Sequence, residues 1–181
     1  DLGEIGDKYL DYFYIDNTEL IPKKNPLVIS NNIFIPDGFK IKINGIKKIY
    51  LINNSSIVSK SPIITMNEKD KIFIGGKEDN FGGGIYIFEN KKISKLSNIK
   101  IANLNGFHQN QIDLSLLGSI NFYKSDAIIN DIEFENINSE DAINSYSANI
   151  KINNGSFNKI LSDAIDIDFG SGKLSNLTFN N

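Results

Sequence analysis

The sequence lacks several residue types, and each absence limits what the chain can do. It has no cysteine, so neither disulfide bonds nor thiolate metal sites can form. All 19 cationic residues are lysines, so the bidentate arginine clamps that usually hold carboxylates and phosphates are missing. The single histidine, His108, excludes a site built from several imidazoles. The net charge of −3 disfavours nucleic-acid binding, which needs clustered cations.

Long apolar runs are also missing. No stretch reaches the roughly 18 apolar residues of a membrane-spanning helix, so we predict no membrane span. The opening DLGEIGDKYL has neither the basic nor the apolar region of a signal peptide. Because the chain also begins without methionine, we expect a processed or trimmed fragment.

Alternation of apolar and polar residues with a period of two is the dominant pattern. It runs through DKIFIGG, GGIYIF and NIKIANLNG, and asparagine or glycine usually separates such segments. The abundance of isoleucine and asparagine also favours short strands joined by turns. Only SEDAINSYSA could form a helix, and its place in a repeat argues against that. The sequence therefore predicts an all-β domain.

An internal repeat organises these strands. Four segments share the pattern apolar-x-[Asn/Asp]-x-x-apolar: 96–103, 129–136, 152–159 and 174–181. Segments 46–53 and 69–76 fit more loosely. The apolar residues at the sixth position are then Leu51, Ile74, Ile101, Phe134, Phe157 and Phe179.

A second set of columns repeats in step with the first, at intervals of 22–23 residues. The alignment of GSIN, DAIN and DAID defines it. It places in register Ile120, Ile143 and Ile165; Asn121, Asn144 and Asp166; and Tyr123, Tyr146 and Asp168.

This period, without helices, predicts a right-handed parallel β-helix of about six coils of 22–23 residues. The handedness follows the general rule for parallel crossovers. Asn98, Asp131, Asn154 and Asn176 are predicted at a turn, where asparagine tolerates the left-handed conformation. We expect residues 1–26 to form an N-terminal cap strand and turn. Residues 27–181 are expected to form the β-helix, truncated at its C-terminal end.

The stretches LVISNNIFIPDGFKIKI, GSINFYKSDAIINDIEFENINSEDAI and SDAIDIDFGSGKLSNLTF resemble right-handed parallel β-helix repeat proteins of the pectin-lyase-like superfold. They most resemble bacterial β-helix regions found beside CotH-like modules on secreted or surface proteins. The resemblance implies an extracellular or cell-surface location. Some enzymes of this superfold cleave acidic polysaccharides, and the lyase type uses an Asp-lined calcium site with an arginine base. That mechanism is not available here in its usual form, because the chain has no arginine.

Asp163, Asp166 and Asp168 form the densest acidic cluster in the sequence. The strand period places Ile165, Ile167 and Phe169 on one face, and Asp166 and Asp168 on the other. Asp166 and Asp168 are therefore candidates for a catalytic pair, and all three aspartates are candidate ligands of a metal, for which Ca²⁺ is the fitting ion. The competing interpretation, which we favour, is a solvated strand face that discourages aggregation. Otherwise no cofactor is expected.

Tyr123, Tyr146, Asn121 and Asn144 are candidate ligand-binding residues. On an outward surface, tyrosine rings could stack on a sugar and amides could bond its hydroxyl groups. The alternative is packing of tyrosine and asparagine ladders between coils. His108 belongs to a predicted loop, and we interpret it as incidental.

These patterns favour a non-catalytic module that binds glycan or acts as a structural spacer. The alternatives are a polysaccharide lyase or hydrolase fragment that uses the aspartate cluster, and a structural unit of a fibre or larger assembly. The expected partners are a polysaccharide, and further chain or another subunit stacking on the C-terminal end. We expect no nucleic-acid partner.

Overall fold

The structure is a computed structural model that describes residues 8–43, 45–65, 70–106 and 117–180. A short 3-10 helix spans Lys8–Asp11. The strands are β1 (Phe13–Asp16), β2 (Glu19–Pro22), β3 (Leu27–Ile29), β4 (Ile33–Ile35), β5 (Lys40–Ile43), β6 (Lys48–Leu51), β7 (Ile57–Ser59), β8 (Ile63–Thr65), β9 (Ile72–Gly75), β10 (Ile85–Phe88), β11 (Ser94–Leu104), β12 (Gly118–Tyr123), β13 (Ala127–Ile137), β14 (Asp141–Tyr146), β15 (Asn149–Ile160), β16 (Asp163–Asp168) and β17 (Ser171–Asn180). Within this part of the chain, no helix is long and apolar enough to cross a membrane.

The strands form two sheets. The larger follows the order β1-β2-β5-β8-β11-β13-β15-β17, and β3, β6 and β9 join it through β11. The smaller follows the order β16-β14-β12-β10-β7-β4. Strands β1 and β2 form an antiparallel hairpin, and the coil-to-coil pairings are parallel. The chain is therefore an all-β parallel solenoid of about six turns, as predicted. Its right-handed sense stays a prediction.

The pairing registers confirm the columns of the second set. Ile120 pairs with Ile143, which in turn pairs with Ile165. The same ladders align Asn121, Asn144 and Asp166, and also Tyr123, Tyr146 and Asp168. The segment SEDAINSYSA, for which the sequence left a helix possible, instead contains β14, as its place in the repeat indicated.

The first set of columns is confirmed except at Leu51. Ile74 pairs with Ile101, which pairs with Phe134. However, Ile74 pairs on its other side with Ile49, whereas Leu51 pairs with Ile29. The prediction for Leu51 was wrong by two residues. A slip of two keeps the same face inward, so alternation alone does not exclude it.

Residues with positive φ bend each coil. Asn98, Asp131, Asn154 and Asn176 have φ between 54° and 59°, which confirms their predicted left-handed turn conformation. They lie inside β11, β13, β15 and β17, so each of these long strands turns a corner at them. Two further columns with positive φ complete the corners: Asn103, Asn136 and Lys159; and Glu89, Lys124, Ser147 and Phe169.

Isoleucine and phenylalanine fill the interior. The Phe134 and Phe157 rings stack with centroids 5.1 Å apart and planes 6° apart. Phe157 and Phe179 continue the stack at 5.2 Å and 16°. Each fully buried side chain of this size contributes roughly 1.5–3 kcal/mol to stability.

Phe169 departs from the face on which the strand period placed it together with Ile165 and Ile167. Its side chain is 82% exposed. The residue follows the end of β16 and has φ of 52°, so the strand alternation that keeps Ile165 and Ile167 partly buried stops before it.

The glycines in FGGG are explained by close packing between coils. A Cβ atom on Gly82 would lie 2.7 Å from the Leu51 Cβ, and one on Gly84 would lie 2.6 Å from the Ser119 oxygen. Both distances are below normal contact, so a side chain does not fit there.

The N-terminal segment begins with the 3-10 helix and the β1–β2 hairpin. Strand β1 begins only at Phe13, because Lys8–Asp11 is helical. Phe13 and Leu20 are buried in the core, and β2 pairs in parallel with β5. The division into a cap at 1–26 and a solenoid at 27–181 stays a prediction.

Candidate functional site

The three predicted acidic residues lie along one strand of the last described coil. Asp163 and Asp168 are exposed, and Asp166 is half-buried. The Asn144 Nδ2 donates a hydrogen bond of 3.4 Å to Asp166 Oδ2. In the described ranges, no three histidine or acidic side chains are grouped so that they could hold a metal ion. The catalytic assignment of Asp166 and Asp168 and the metal assignment of all three stay predictions.

Asn121 and Asn144 do not lie on an open surface, where we expected them. Asn121 is only 1% exposed, and Asn144 is also buried. The Asn121 side chain bonds the backbone of its own strand: Oδ1 accepts from the Gly118 nitrogen at 3.0 Å, and Nδ2 donates to the Gly118 oxygen at 2.6 Å. Both amides therefore stabilise the solenoid and are not presented to a ligand.

Tyr123 and Tyr146 pack against each other. Their ring centroids are 5.2 Å apart and their planes differ by 11°, so each covers a face of the other. Phe169 packs on Tyr146 at a tilt of 58°, and the Lys124 ammonium lies 4.9 Å from the centre of the Tyr123 ring. Sugar stacking needs an open ring face, so this geometry favours the ladder interpretation for these tyrosines.

Asp141 is the titratable residue that the sequence interpretation missed. Its side chain accepts a 3.1 Å hydrogen bond from Asn144 Nδ2 and is 2% exposed. Burial raises the pKa of Asp141 from 3.8 to about 6. The Asn144 hydrogen bond lowers the pKa, while the nearby carboxylates of Asp166, Glu140 and Asp163 raise it. The repeat aligned Asp141 with Asp163, whose side chain is exposed, whereas the side chain of Asp141 is buried.

A trough of about 410 Å³ follows the bend of the long strands. We call it the polar trough. Its polar lining comprises Lys71, Asn98, Asp131, Asn154, Ser156 and Asn176. The sequence identified four of these residues as turn formers, but it gave no sign that the bend is concave.

Hydrogen bonds between coils hold the side chains of the polar trough. Asn154 Nδ2 donates to Asp131 Oδ1 at 3.0 Å, and Asn176 Nδ2 donates to Asn153 Oδ1 at 3.1 Å. In each of these bonds the asparagine donates through its Nδ2. Its own Oδ1 is not used in the bond and can accept a hydrogen bond from a ligand. The trough therefore offers fixed polar groups in a row, one per coil.

The predicted loop that contains His108 lies outside the described residues, together with Gln109, Gln111 and Asp113.

Comparisons with protein-family models, with curated proteins and with solved structures gave no match to this chain.

Proposed function

We propose that the chain is a non-catalytic β-solenoid module that binds an extended polysaccharide along the polar trough. The observation that carries the proposal is the column Asn98, Asp131, Asn154 and Asn176, with one amide or carboxylate in each of four successive coils. Amides both donate and accept hydrogen bonds, as sugar hydroxyl groups do. The proposal keeps the predicted ligand class and moves the site away from Tyr123 and Tyr146.

The spacing of the column supports a polymer as the ligand. Coils of a parallel solenoid repeat every ~4.8 Å, which is close to the length of one pyranose in an extended chain. Each sugar unit would therefore meet one row of the trough. The bonds between coils fix the amides before binding, so little side-chain entropy is lost when a ligand binds. Affinity then grows with the number of sugars that engage.

A location outside the cell belongs to the same proposal. The parallel stack is compatible with the pectin-lyase-like superfold and with the β-helix regions that accompany CotH-like modules. A secreted or surface-exposed module meets polysaccharides there.

The glycan site is tested by replacing Asn154 with glycine. Glycine keeps the left-handed backbone but removes the amide from the polar trough. We expect Asn154→Gly to weaken binding to a responsive polysaccharide by about five- to tenfold, the effect of one or two lost hydrogen bonds. The measurement is affinity electrophoresis across a panel of neutral and acidic polysaccharides.

Asn136→Gly is the matched control. Asn136 also has positive φ, at 56°, and its Nδ2 donates to Asn103 Oδ1 at 2.7 Å, but it does not line the polar trough. Its replacement removes the same atoms and one bond between coils, and binding should be unchanged. Equal losses in the two variants, or no retardation of the wild type by any polysaccharide, would refute the proposal.

A further inference from the structure

A second groove, of about 400 Å³, lies on the outward side of the first coils and shares no lining residue with the polar trough. We call it the lysine groove. Its apolar part is formed by Pro62, Ile64 and Ile93. The Ile93 side chain is exposed, although it is a large apolar residue. The groove therefore combines a size typical of ligand sites with an apolar floor that is open to solvent.

Four lysines surround this floor: Lys40, Lys42, Lys92 and Lys95. Among the residues that the structure describes, Glu19 is the only acidic one in the lining, and its Oε2 lies 2.9 Å from the Lys42 ammonium. In the part of the chain that the structure describes, the other three ammonium groups have no ion-pair partner. Four cations and one anion give the lining a charge of +3, although the whole chain carries −3. The groove is a local cationic site on an acidic protein.

The strand register sets the spacing of two of these lysines. Lys42 pairs with Ile64, which pairs with Lys95, so the lysines lie two coils apart in one outward column. Two coils span roughly 9.6 Å, at ~4.8 Å per strand. In a polyproline II helix, residues three apart lie on the same side, about 9.3 Å from each other. Carboxylates at positions i and i+3 of such a segment match the two lysines, with Ile64 between them.

We propose that the lysine groove binds an acidic peptide segment in the polyproline II conformation. Acidic side chains three apart pair with Lys42 and Lys95, and an apolar side chain between them packs on Ile64 and Ile93. Lys40 and Lys92 add positive charge at the edge of the groove, where they can pair with further acidic residues of the peptide. The site is independent of the polar trough and does not require the proposed glycan function.

The chemistry of the lining favours a peptide over the other anionic ligands. Lysine only donates hydrogen bonds, and Glu19 is already paired, so the groove has few acceptors for sugar hydroxyl groups. Its described lining also includes no aromatic ring on which a sugar or a nucleobase could stack. A peptide needs neither, since its carboxylates accept hydrogen bonds and its apolar side chain covers the floor.

Fluorescence anisotropy with a short labelled peptide tests this site. The probe is proline-rich, with glutamates three residues apart and a leucine between them. We expect binding at low salt that Lys95→Gln weakens about three- to fivefold, the effect of one exposed ion pair. Lys151→Gln is the matched control, because Lys151 belongs to the same outward column but not to the groove. It should leave affinity unchanged.

Glu19→Gln provides a test in the opposite direction. Removing the carboxylate frees the Lys42 ammonium and should raise the affinity for the probe about twofold to fivefold. A peptide with lysines in place of the glutamates should not bind. Equal effects of Lys95→Gln and Lys151→Gln, or binding of an acidic oligosaccharide in place of the peptide, would overturn the proposal.

Discussion

Replacing Phe157 with alanine lowers the free energy of unfolding by about 3–5 kcal/mol. Its ring is 1% exposed and lies between the Phe134 and Phe179 rings, at centroid distances of 5.1 Å and 5.2 Å. The substitution removes the buried ring, leaves a cavity and breaks two stacked pairs, each of which contributes roughly 0.5–1.5 kcal/mol beyond burial. Urea unfolding followed by circular dichroism measures the change.

Phe179→Ala is the matched control in the same column. The Phe179 ring is 58% exposed and has one stacking partner, so its removal should cost only about 1 kcal/mol. Stability in a solenoid is a sum over neighbouring coils, so both losses should be concentrated in the last coils. Equal destabilisation of the two alanine variants would contradict the expectation that burial and two stacking partners make Phe157 contribute more to stability than Phe179.

The sequence predicted the coil stack well because a repeat constrains register directly. Equivalent residues of a parallel solenoid must pair, so the 22-residue interval between Ile143 and Ile165 already determines their ladder. The prediction failed where the constraint was weaker. At Leu51 the match to the repeat was loose, and a slip of two residues preserves the buried face.

Burial of outward-facing side chains was harder to predict. A period of two indicates the side of the strand from which a side chain leaves, but not what lies over that side. The Asn121 side chain projects from the outward side of its strand and is nevertheless buried, with its amide hydrogen-bonded to Gly118. Phe169 shows the opposite error, because one residue with positive φ ended the alternation.

The candidate sites depend on shape, which the repeat does not encode. The turn column at Asn154 and Asn176 was predicted, and the structure adds that the bend is concave. In the same way, lysines alternate with buried isoleucines in β5, but the apolar floor beside them comes from residues outside that strand. Register could be predicted from spacing, whereas concavity arises from bends and insertions.

Replacing Asp141 with asparagine should stabilise the protein at neutral pH. Burial raises the pKa of this carboxyl to about 6 in the folded state, so its charged form is disfavoured there. Asparagine has nearly the same shape and no charge, and it can still accept the hydrogen bond from Asn144. At pH 7.5 we expect the free energy of unfolding to rise by about 2 kcal/mol, and at most about 3 kcal/mol.

The stabilisation expected for Asp141→Asn should depend on pH. An acid whose folded pKa lies above its unfolded value binds its proton more tightly when folded. The stability that protonated Asp141 contributes is therefore fully present below pH 3.8 and is lost as the pH rises through about 6. The advantage of Asp141→Asn should grow across the same interval and be absent at pH 4. Urea unfolding of both proteins between pH 4 and pH 8 measures it.

Asp163→Asn separates this effect from a general loss of negative charge. Asp163 lies one coil after Asp141 and pairs with it. The Asp163 side chain is exposed, so replacing it should change the free energy of unfolding by no more than about 0.5 kcal/mol. A pH-independent gain in Asp141→Asn, or an equal gain in Asp163→Asn, would mean that the carboxylates repel one another across the surface. A gain confined to Asp141→Asn above pH 6 would identify burial as the cause, because of these two carboxyl groups only that of Asp141 is buried.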